Sequence, residues 1–314
     1  MSKVRFYIAM AAAKTAHRLL RLCGRAATHT PGAVATKLCP DFLRYLQKPE
    51  TLICVTGTDG KTTVSNLLAT VLQDNGYTVT NNSYGSNICE GVVSALLTDA
   101  TFSGKPKKQV GVLEVDERSS LKVYKYLTPD ILICNNIMRD SLKRNAHTEF
   151  ICYILNKQLP SSTKVVLNAD DLICSGLFPN NKDRTYFGVS ADRPENGAAT
   201  DEALRDIVYC PKCGAKLETE YVRYNHIGRH HCSSCGFASP KPDYDVTAIN
   251  REKGTFTVTH NGVDEEYKIV NDNIINIYNS CAVISVLHTF GLDYEKIHNA
   301  FETVKIVSSR FDIK

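Results

Sequence analysis

Short, wholly apolar runs alternate with helical periods along most of this chain. Leu52-Ile53-Cys54-Val55 reads as a buried strand, and 64–72 follows with the spacing of an amphipathic helix. Further strands are predicted over 77–80, 109–115, 130–135, 164–168 and 184–188, with helices over 88–97 and 149–158. Strands that are apolar at every position are covered on both faces, so the pattern predicts an α/β fold: a parallel sheet flanked by helices. Residues 193–206 are polar and aperiodic, and a cysteine-bearing stretch then interrupts the alternation. Beyond it, 243–250, 255–260 and 265–270 read as three short strands joined at Lys253-Gly254 and Asn261-Gly262, the second a hairpin signal. Two helices, 274–290 and 294–303, complete the pattern, divided by Gly291.

The first 48 residues form a separate helical segment. Leu19, Leu20 and Leu22 beside regularly spaced Lys and Arg predict an amphipathic helix. The apolar stretch 6–13 is short and is followed at once by Lys14, Arg18 and Arg21, unlike a secretory leader. The helix is expected to pack on the body of the protein, with an anionic membrane surface as the alternative. No run approaches the roughly 18 apolar residues of a membrane span.

Composition bounds the rest. A chain of 314 residues with 43% hydrophobic and 22% charged positions is globular and long enough for two cores. A formal charge of +4 is too small to imply a nucleic-acid partner. The charge is unevenly placed, however: Lys3, Arg5, Lys14, Arg18, Arg21, Arg25 and Lys37 all precede Asp41, the first acidic residue. Of twelve cysteines, Cys23, Cys39, Cys54, Cys89, Cys134, Cys152, Cys174 and Cys281 are scattered and read as small buried hydrophobes, which fits a reducing cytoplasm.

The candidate chemistry begins at Thr56-Gly57-Thr58-Asp59-Gly60-Lys61-Thr62-Thr63, between the first strand and its helix. Glycines let the backbone turn tightly, so that N–H groups at the helix start can face phosphate oxygens. Lys61 supplies a charge for the outer phosphates of ATP and Thr62 a hydroxyl for Mg²⁺. Only two residues separate Gly57 from Gly60, where the usual loop has four, so this is a shortened variant. Glu114 ends a strand within Glu114-Val115-Asp116-Glu117 and offers a carboxylate to the same Mg²⁺, although acid clusters at strand ends are often merely solvated. Asn276 and Asn279 share one helical face and can either hydrogen-bond a nucleobase or cap the helix. Ligands of parallel sheets gather at strand C-terminal ends, which places Gly57, 114–117, 135–140 and 168–171 around one cleft.

Cys210-Pro211-Lys212-Cys213 and Cys232-Ser233-Ser234-Cys235 are two CxxC pairs, each followed by a glycine, Gly214 and Gly236. Their spacing suits a zinc ribbon with four thiolate ligands and no open position, hence a structural metal. His226, His230 and His231 lie between the pairs and are expected at the surface.

The loop 56–63 resembles the shortened phosphate loop of the Mur ligases, ATP-dependent peptidoglycan ligases related to folylpolyglutamate synthase. Glu114-Val115 resembles their magnesium glutamate, and Asn276-Ile277-Tyr278-Asn279 their adenine-side segment. The cysteine insertion, with Asn135-Asn136-Ile137-Met138-Arg139-Asp140, Leu167-Asn168-Ala169-Asp170-Asp171 and Tyr224-Asn225-His226-Ile227-Gly228, is similar to the branch that amidates lipid II. The resemblance implies a central ATP-binding domain over 49–314 with the ribbon, 207–240, inserted in it. It implies Gly57, Thr58, Asp59, Gly60, Lys61, Thr62, Thr63, Asn276 and Asn279 as nucleotide ligands. Lys61 and Glu114 become catalytic, Thr62 and Glu114 magnesium ligands, and Cys210, Cys213, Cys232 and Cys235 zinc ligands.

In the implied reaction ATP activates the D-glutamate α-carboxyl of lipid II as an acyl phosphate. Ammonia from glutamine, released by the partner amidotransferase GatD, then gives D-isoglutamine at the inner face of the plasma membrane. Asp59 replaces the usual Asn, and Ser309-Arg310-Phe311-Asp312 replaces the family's hinge. A third domain bearing the catalytic aspartate is expected in this family and is not expected within this chain. An amino-acid-adding relative, or an ATP-binding remnant, remains an alternative reading. A zinc-ribbon nucleic-acid binder requires a basic, aromatic ribbon face, to which Lys212, Lys216, Tyr221, Arg223, Tyr224 and Arg229 contribute, but it leaves the phosphate loop unexplained.

Overall fold

The structure, a computed structural model, describes residues 3–82, 86–139, 147–194 and 207–304. Helices α1 (Lys3–Leu22) and α2 (Thr30–Leu38) and a 3₁₀ turn at Phe42–Tyr45 come first. Then β1 (Thr51–Thr56), α3 (Lys61–Asp74), β2 (Val79–Asn81), α4 (Cys89–Thr98), β3 (Val110–Glu114), α5 (Ser120–Val123) and β4 (Ile131–Cys134) alternate. The alternation continues through α6 (Thr148–Gln158), β5 (Lys164–Asn168), α7 (Leu172–Ser175) and β6 (Arg184–Val189). A small hairpin, β7 (Glu218–Tyr224) and β8 (Ile227–His231), precedes β9 (Tyr244–Asn250), β10 (Thr255–His260) and β11 (Val263–Lys268). Helices α8 (Ile274–Phe290) and α9 (Tyr294–Thr303) follow.

Nine strands make one sheet in the order β11-β10-β9-β6-β5-β4-β1-β3-β2. The pairings from β2 across to β9 are parallel, and β9, β10 and β11 form an antiparallel meander on the far edge. The later strands therefore extend the parallel sheet, a placement that their own pattern did not reveal. β6 and β9 are parallel neighbours, so the entire cysteine insertion is an excursion within one crossover. Strands β3 and β4 flank β1 on opposite sides, and at such a reversal of strand order the loops part to leave a crevice.

A hydrophobic core lies on each face of the sheet. On one face α3, α8 and α9 pack over β1, β4 and β6, and all of 277–287 in α8 is buried, as expected of a helix apolar on every side. The other core joins Phe6, Met10 and Ala13 of α1 to Leu52, Leu97, Leu113 and Leu132. Phe6 packs against Phe42 and Tyr45 with tilted rings at centroid distances of 4.9 and 5.3 Å. Burying Phe6 and Met10 is worth about 1.5–3 kcal/mol each, which fixes one face of α1 to the body.

Two expectations change. β11 starts at Val263, two residues early, because Asn261 (φ 51°) and Gly262 (φ 77°) make a two-residue turn that pairs His260 directly with Val263. Six of the eight scattered cysteines are buried, but Cys23 is exposed at the end of α1 and Cys152 is half-buried. Burial raises the buried thiols, Cys89 to about 11, which keeps them protonated. The segment Ser309-Arg310-Phe311-Asp312 lies outside the described residues.

Candidate active site

The loop between β1 and α3 is held from three neighbouring strand ends. Gly57 has φ 126° and Gly60, which starts α3, has φ 81°, both left-handed values. A side chain at 57 would lie 2.9 Å from the Asn136 carbonyl, and one at 60 would lie 2.4 Å from Asn279 Oδ1 and 2.8 Å from Asn135 Nδ2. Asn136, beyond β4, accepts Thr58 N–H on its backbone oxygen and Asp59 N–H on its side chain, at 2.9 and 2.8 Å. Thr58 Oγ1 donates to the Met138 carbonyl and accepts from Met138 N–H, at 3.1 and 2.8 Å. Asn168 at the end of β5 donates to the Asn135 carbonyl. The strand ends 114–117, 135–139 and 168–171 thus converge on the loop, and Asp140 lies outside the described residues.

The charged groups pair across this crevice. Thr62 Oγ1 donates to Glu114 Oε2 at 2.8 Å, and Asn87 Nδ2 donates to Glu114 Oε1 at 3.0 Å. Asn82 brackets the Glu114 backbone, accepting its N–H and donating to its carbonyl, both at 2.8 Å. Lys61 Nζ donates to the Gly57 carbonyl and to Glu117 Oε1, the latter at 3.1 Å. Gly57 N–H donates to the same Glu117 oxygen. Glu114 and Glu117 are buried, so this acid cluster is not merely solvated. Burial pushes the Glu117 carboxyl above its ordinary value, and Lys61 opposes that shift.

These residues fit a nucleotide with its magnesium. The two glycines leave a cradle that a Cβ would fill. Among the described residues, Asn135 Oδ1 is buried without a hydrogen-bond partner beside that cradle. Thr62 and Glu114 present hard oxygens side by side, the donor set Mg²⁺ prefers. Asn273, not Asn276 or Asn279, caps α8 by accepting Ile275 N–H, which frees the other two for a ligand. Asn279 reaches the loop above Gly60, and Asn276 accepts from its amide at 3.3 Å. Asp59 is exposed and Thr63 partly so, with the backbone of Asp59 held by the two asparagines. A cleft of about 840 Å³ opens between α2, α4 and α5, with Lys37, Glu90, Lys122 and Lys125 among its lining residues and none from the phosphate loop.

The cysteine insertion has two unlike ends. At one, Cys210, Cys213, Cys232 and Cys235 bring their sulfurs within 4.8 Å of one another. The separations Cys210–Cys235 and Cys213–Cys232 are 3.6 and 3.5 Å, near the roughly 3.8 Å of a tetrahedral site with 2.3 Å Zn–S bonds. Gly214 (φ 75°) and Gly236 (φ 71°) close the two knuckles, each donating its N–H to the carbonyl of the first cysteine of its pair. The donor set fits a metal ion.

The other end is buried against the sheet. His226 and His230 are 1% and 4% exposed, which overturns their expected surface position; His231 alone lies partly in solvent. His226 Nε2 lies 3.1 Å from Asp171 Oδ1, and Arg229 Nη1 donates to Asp170 Oδ1 at 3.1 Å. Tyr278 Oη donates to the other Asp170 oxygen at 2.7 Å, and Asn225 Nδ2 donates to Met138 Sδ at 2.9 Å. Arg223 donates to the carbonyls of Val189, Ala191 and Asp192, and Tyr221 is buried. Tyr221, Arg223, Tyr224 and Arg229 are therefore spent on docking the hairpin, and the basic ribbon face reduces to Lys212 and Lys216. Sequence reasoning missed Glu117 as the partner of Lys61 and missed Asn82, Asn87 and Asn136 as supports. Only the positions of Glu117, Asn82 and Asn136 at strand ends could have flagged them, and Asn87, just ahead of α4, carried no such signal.

Comparison with known proteins agrees with this geometry. Residues 55–233 match the Mur ligase middle domain. Two MurT subunits of lipid II isoglutaminyl synthase (glutamine-hydrolyzing) align with 96% of this chain: 32% identity for Staphylococcus aureus and 29% for Streptococcus pneumoniae. The chain spans 67% of the length of each. The solved pseudomurein peptide ligase type C of Methanothermus fervidus superposes with a TM-score of 0.66 at 27% identity, over 86% of this chain and 52% of that one. Fold, phosphate loop, cysteine insertion and relatives agree: the chain belongs to the Mur ligase family and, within it, to the MurT group.

Proposed function

We propose that this chain is the ATP-binding ligase subunit of an enzyme that amidates the D-glutamate α-carboxyl of lipid II. The observation that carries the reading is the paired arrangement of Thr62 with Glu114 and Lys61 with Glu117 around the shortened loop. Backbone N–H groups of 60–63 at the start of α3, together with Lys61, hold the phosphates, on a loop that Asn136 fixes through the N–H groups of Thr58 and Asp59. Asn276 and Asn279 approach the base, and Thr62 and Glu114 hold Mg²⁺, which supplies charge neutralisation for phosphoryl transfer. Lys61 and, through the magnesium they would hold, Thr62 and Glu114 would neutralise charge on the γ-phosphoryl group as it leaves ADP for a carboxylate oxygen of the acceptor. Ammonia then forms the C–N bond as phosphate leaves, the ammonia drawn from glutamine by GatD in a heterodimer at the cytoplasmic face of the plasma membrane. The four cysteines hold zinc as a structural ion. In this reading 49–314 is the ATP-binding domain, 207–240 is its inserted ribbon and 1–48 its helical preface.

Because relatives are longer than this chain, the first readout is binding. Titration of a fluorescent ATP analogue with Mg²⁺ should saturate, and Lys61→Ala should abolish the signal. Incubation with GatD, lipid II, ATP and glutamine should then convert the stem glutamate to its amide, followed by mass spectrometry. Absence of nucleotide binding in the intact chain would sink the proposal. ATP-dependent addition of an amino acid in place of ammonia would reassign the chemistry to another Mur ligase.

A further inference from the structure

Helix α1 has two apolar faces, and the body of the protein uses one. Phe6, Ala9, Met10 and Ala13 are buried. On the opposite side Val4, Ile8, Leu19 and Leu22 are 64%, 59%, 57% and 83% exposed, and Ala11 is exposed in line with them. At 100° per residue these five side chains fall within about 80° of arc, centred roughly opposite the buried four. They form one stripe along a 20-residue helix, interrupted only by the exposed Thr15 on the same line.

The charges around the stripe all have one sign. Lys3, Arg18 and Arg21 flank it, Arg25 follows the helix, Arg5 is held by the Leu38 carbonyl, and no acidic residue occurs before Asp41. Basic shoulders beside an apolar stripe suit an interface of phosphate headgroups above acyl chains, where arginine stems bury their methylenes and keep the guanidinium wet. A protein partner with an apolar patch would leave the cationic shoulders unanswered unless it were itself acidic. No helix among the described residues is long and apolar enough to cross a membrane, so the helix would lie in the surface, not through it.

We propose that the outer face of α1 docks this protein on an anionic lipid bilayer. The stripe enters the headgroup region, the basic residues meet lipid phosphates, and the inner face stays fastened to the α/β body. The docking needs no substrate and no nucleotide, so it stands apart from the ligase reading.

Vesicle sedimentation tests it with the intact 314-residue chain. Vesicles of equal parts phosphatidylglycerol and phosphatidylcholine should bind at least about tenfold more protein than pure phosphatidylcholine vesicles at low salt, with the excess reduced in high salt. Leu19→Glu with Leu22→Glu places charge in the stripe without touching the buried face. This double variant should lose the binding while keeping its thermal midpoint and its nucleotide titration. Arg18→Glu with Arg21→Glu should remove the preference for anionic lipid. Equal binding to both vesicle types, or undiminished binding by the leucine variants, overturns the proposal. So does light scattering that shows a concentration-dependent dimer abolished by those variants, which would assign the stripe to a second copy of the chain.

Discussion

The phosphate loop and the cysteine knuckles are both tight turns built on left-handed glycines, yet they are held in opposite ways. A Cβ on Gly60 would collide with Asn279 and Asn135, whereas a Cβ on Gly214 or Gly236 meets nothing within 4 Å. The loop glycines are demanded by conformation and by the approach of other strands. The knuckle glycines are demanded by conformation alone, and in the proposed zinc site the metal would supply the rest. One turn is shaped by the fold around it and the other by its own sequence, so each should fail differently when disturbed.

Metal removal should produce the largest contrast. Structural zinc contributes on the order of 10 kcal/mol in isolated fingers, so chelation under reducing conditions should open the ribbon. Hydrogen exchange should rise across 207–240 while β1, β3 and β4 stay protected. Metal analysis giving well under one zinc per chain, or unchanged exchange after chelation, would refute the assignment. Gly60→Ala comes next. Left-handed strain of about 1–2 kcal/mol plus the collision with Asn279 should cost roughly 3 kcal/mol and lower nucleotide affinity by about a hundredfold. A variant that still binds ATP normally would show that the loop is not crowded as described.

Arg229→Ala should be slightly milder. It removes a cation from Asp170, which is 1% exposed and whose carboxyl burial already raises, so about 2–3 kcal/mol of stability should be lost in denaturant titration. Gly214→Ala should cost only about 1–2 kcal/mol of ribbon stability, and Gly214→Asn less than about 1, because only φ is at stake. Equal losses for Ala and Asn at 214 would contradict that reading.

The smallest effect is a pH signature in the loop that the knuckles lack. Glu117 titrates above its ordinary 4.5 in the fold, with burial outweighing Lys61. Its protonated form is therefore favoured by folding: the stability it contributes is complete below 4.5 and is lost as pH rises through the higher folded value. As pH rises above 4.5, Glu117→Gln should flatten the fall in thermal midpoint. Parallel profiles for the two proteins would show that Glu117 is not held in this way.

Much of this was legible from the chain. Lys164–Asn168, Thr255–His260, Ile274–Phe290 and Tyr294–Thr303 were expected with the bounds observed, because each is bracketed by strong local signals. The knuckle spacing announced itself for the same reason. His226 was misread because the four cysteines already complete a metal's coordination shell, which leaves the histidine no role that the sequence can show. Its burial comes from Asp171, 55 positions away, and nothing local reports that. Glu117 was visible as a strand-end acid but not as the partner of Lys61, since Glu114 carried the same signal.

Sequence alone determined the alternating strands and helices, the shortened loop, the four-cysteine set and the basic opening helix. These are properties of spacing and residue type within a few positions, where backbone preference and side-chain period act directly. The tertiary structure decided that the meander joins the parallel sheet and that the ribbon hairpin is bolted to Asp170 and Asp171. It also decided that Asn279 leans over Gly60, and that α1 hides one apolar face and presents the other. Each of those depends on which distant strand ends meet, and contacts across tens of residues leave no period in the chain that makes them.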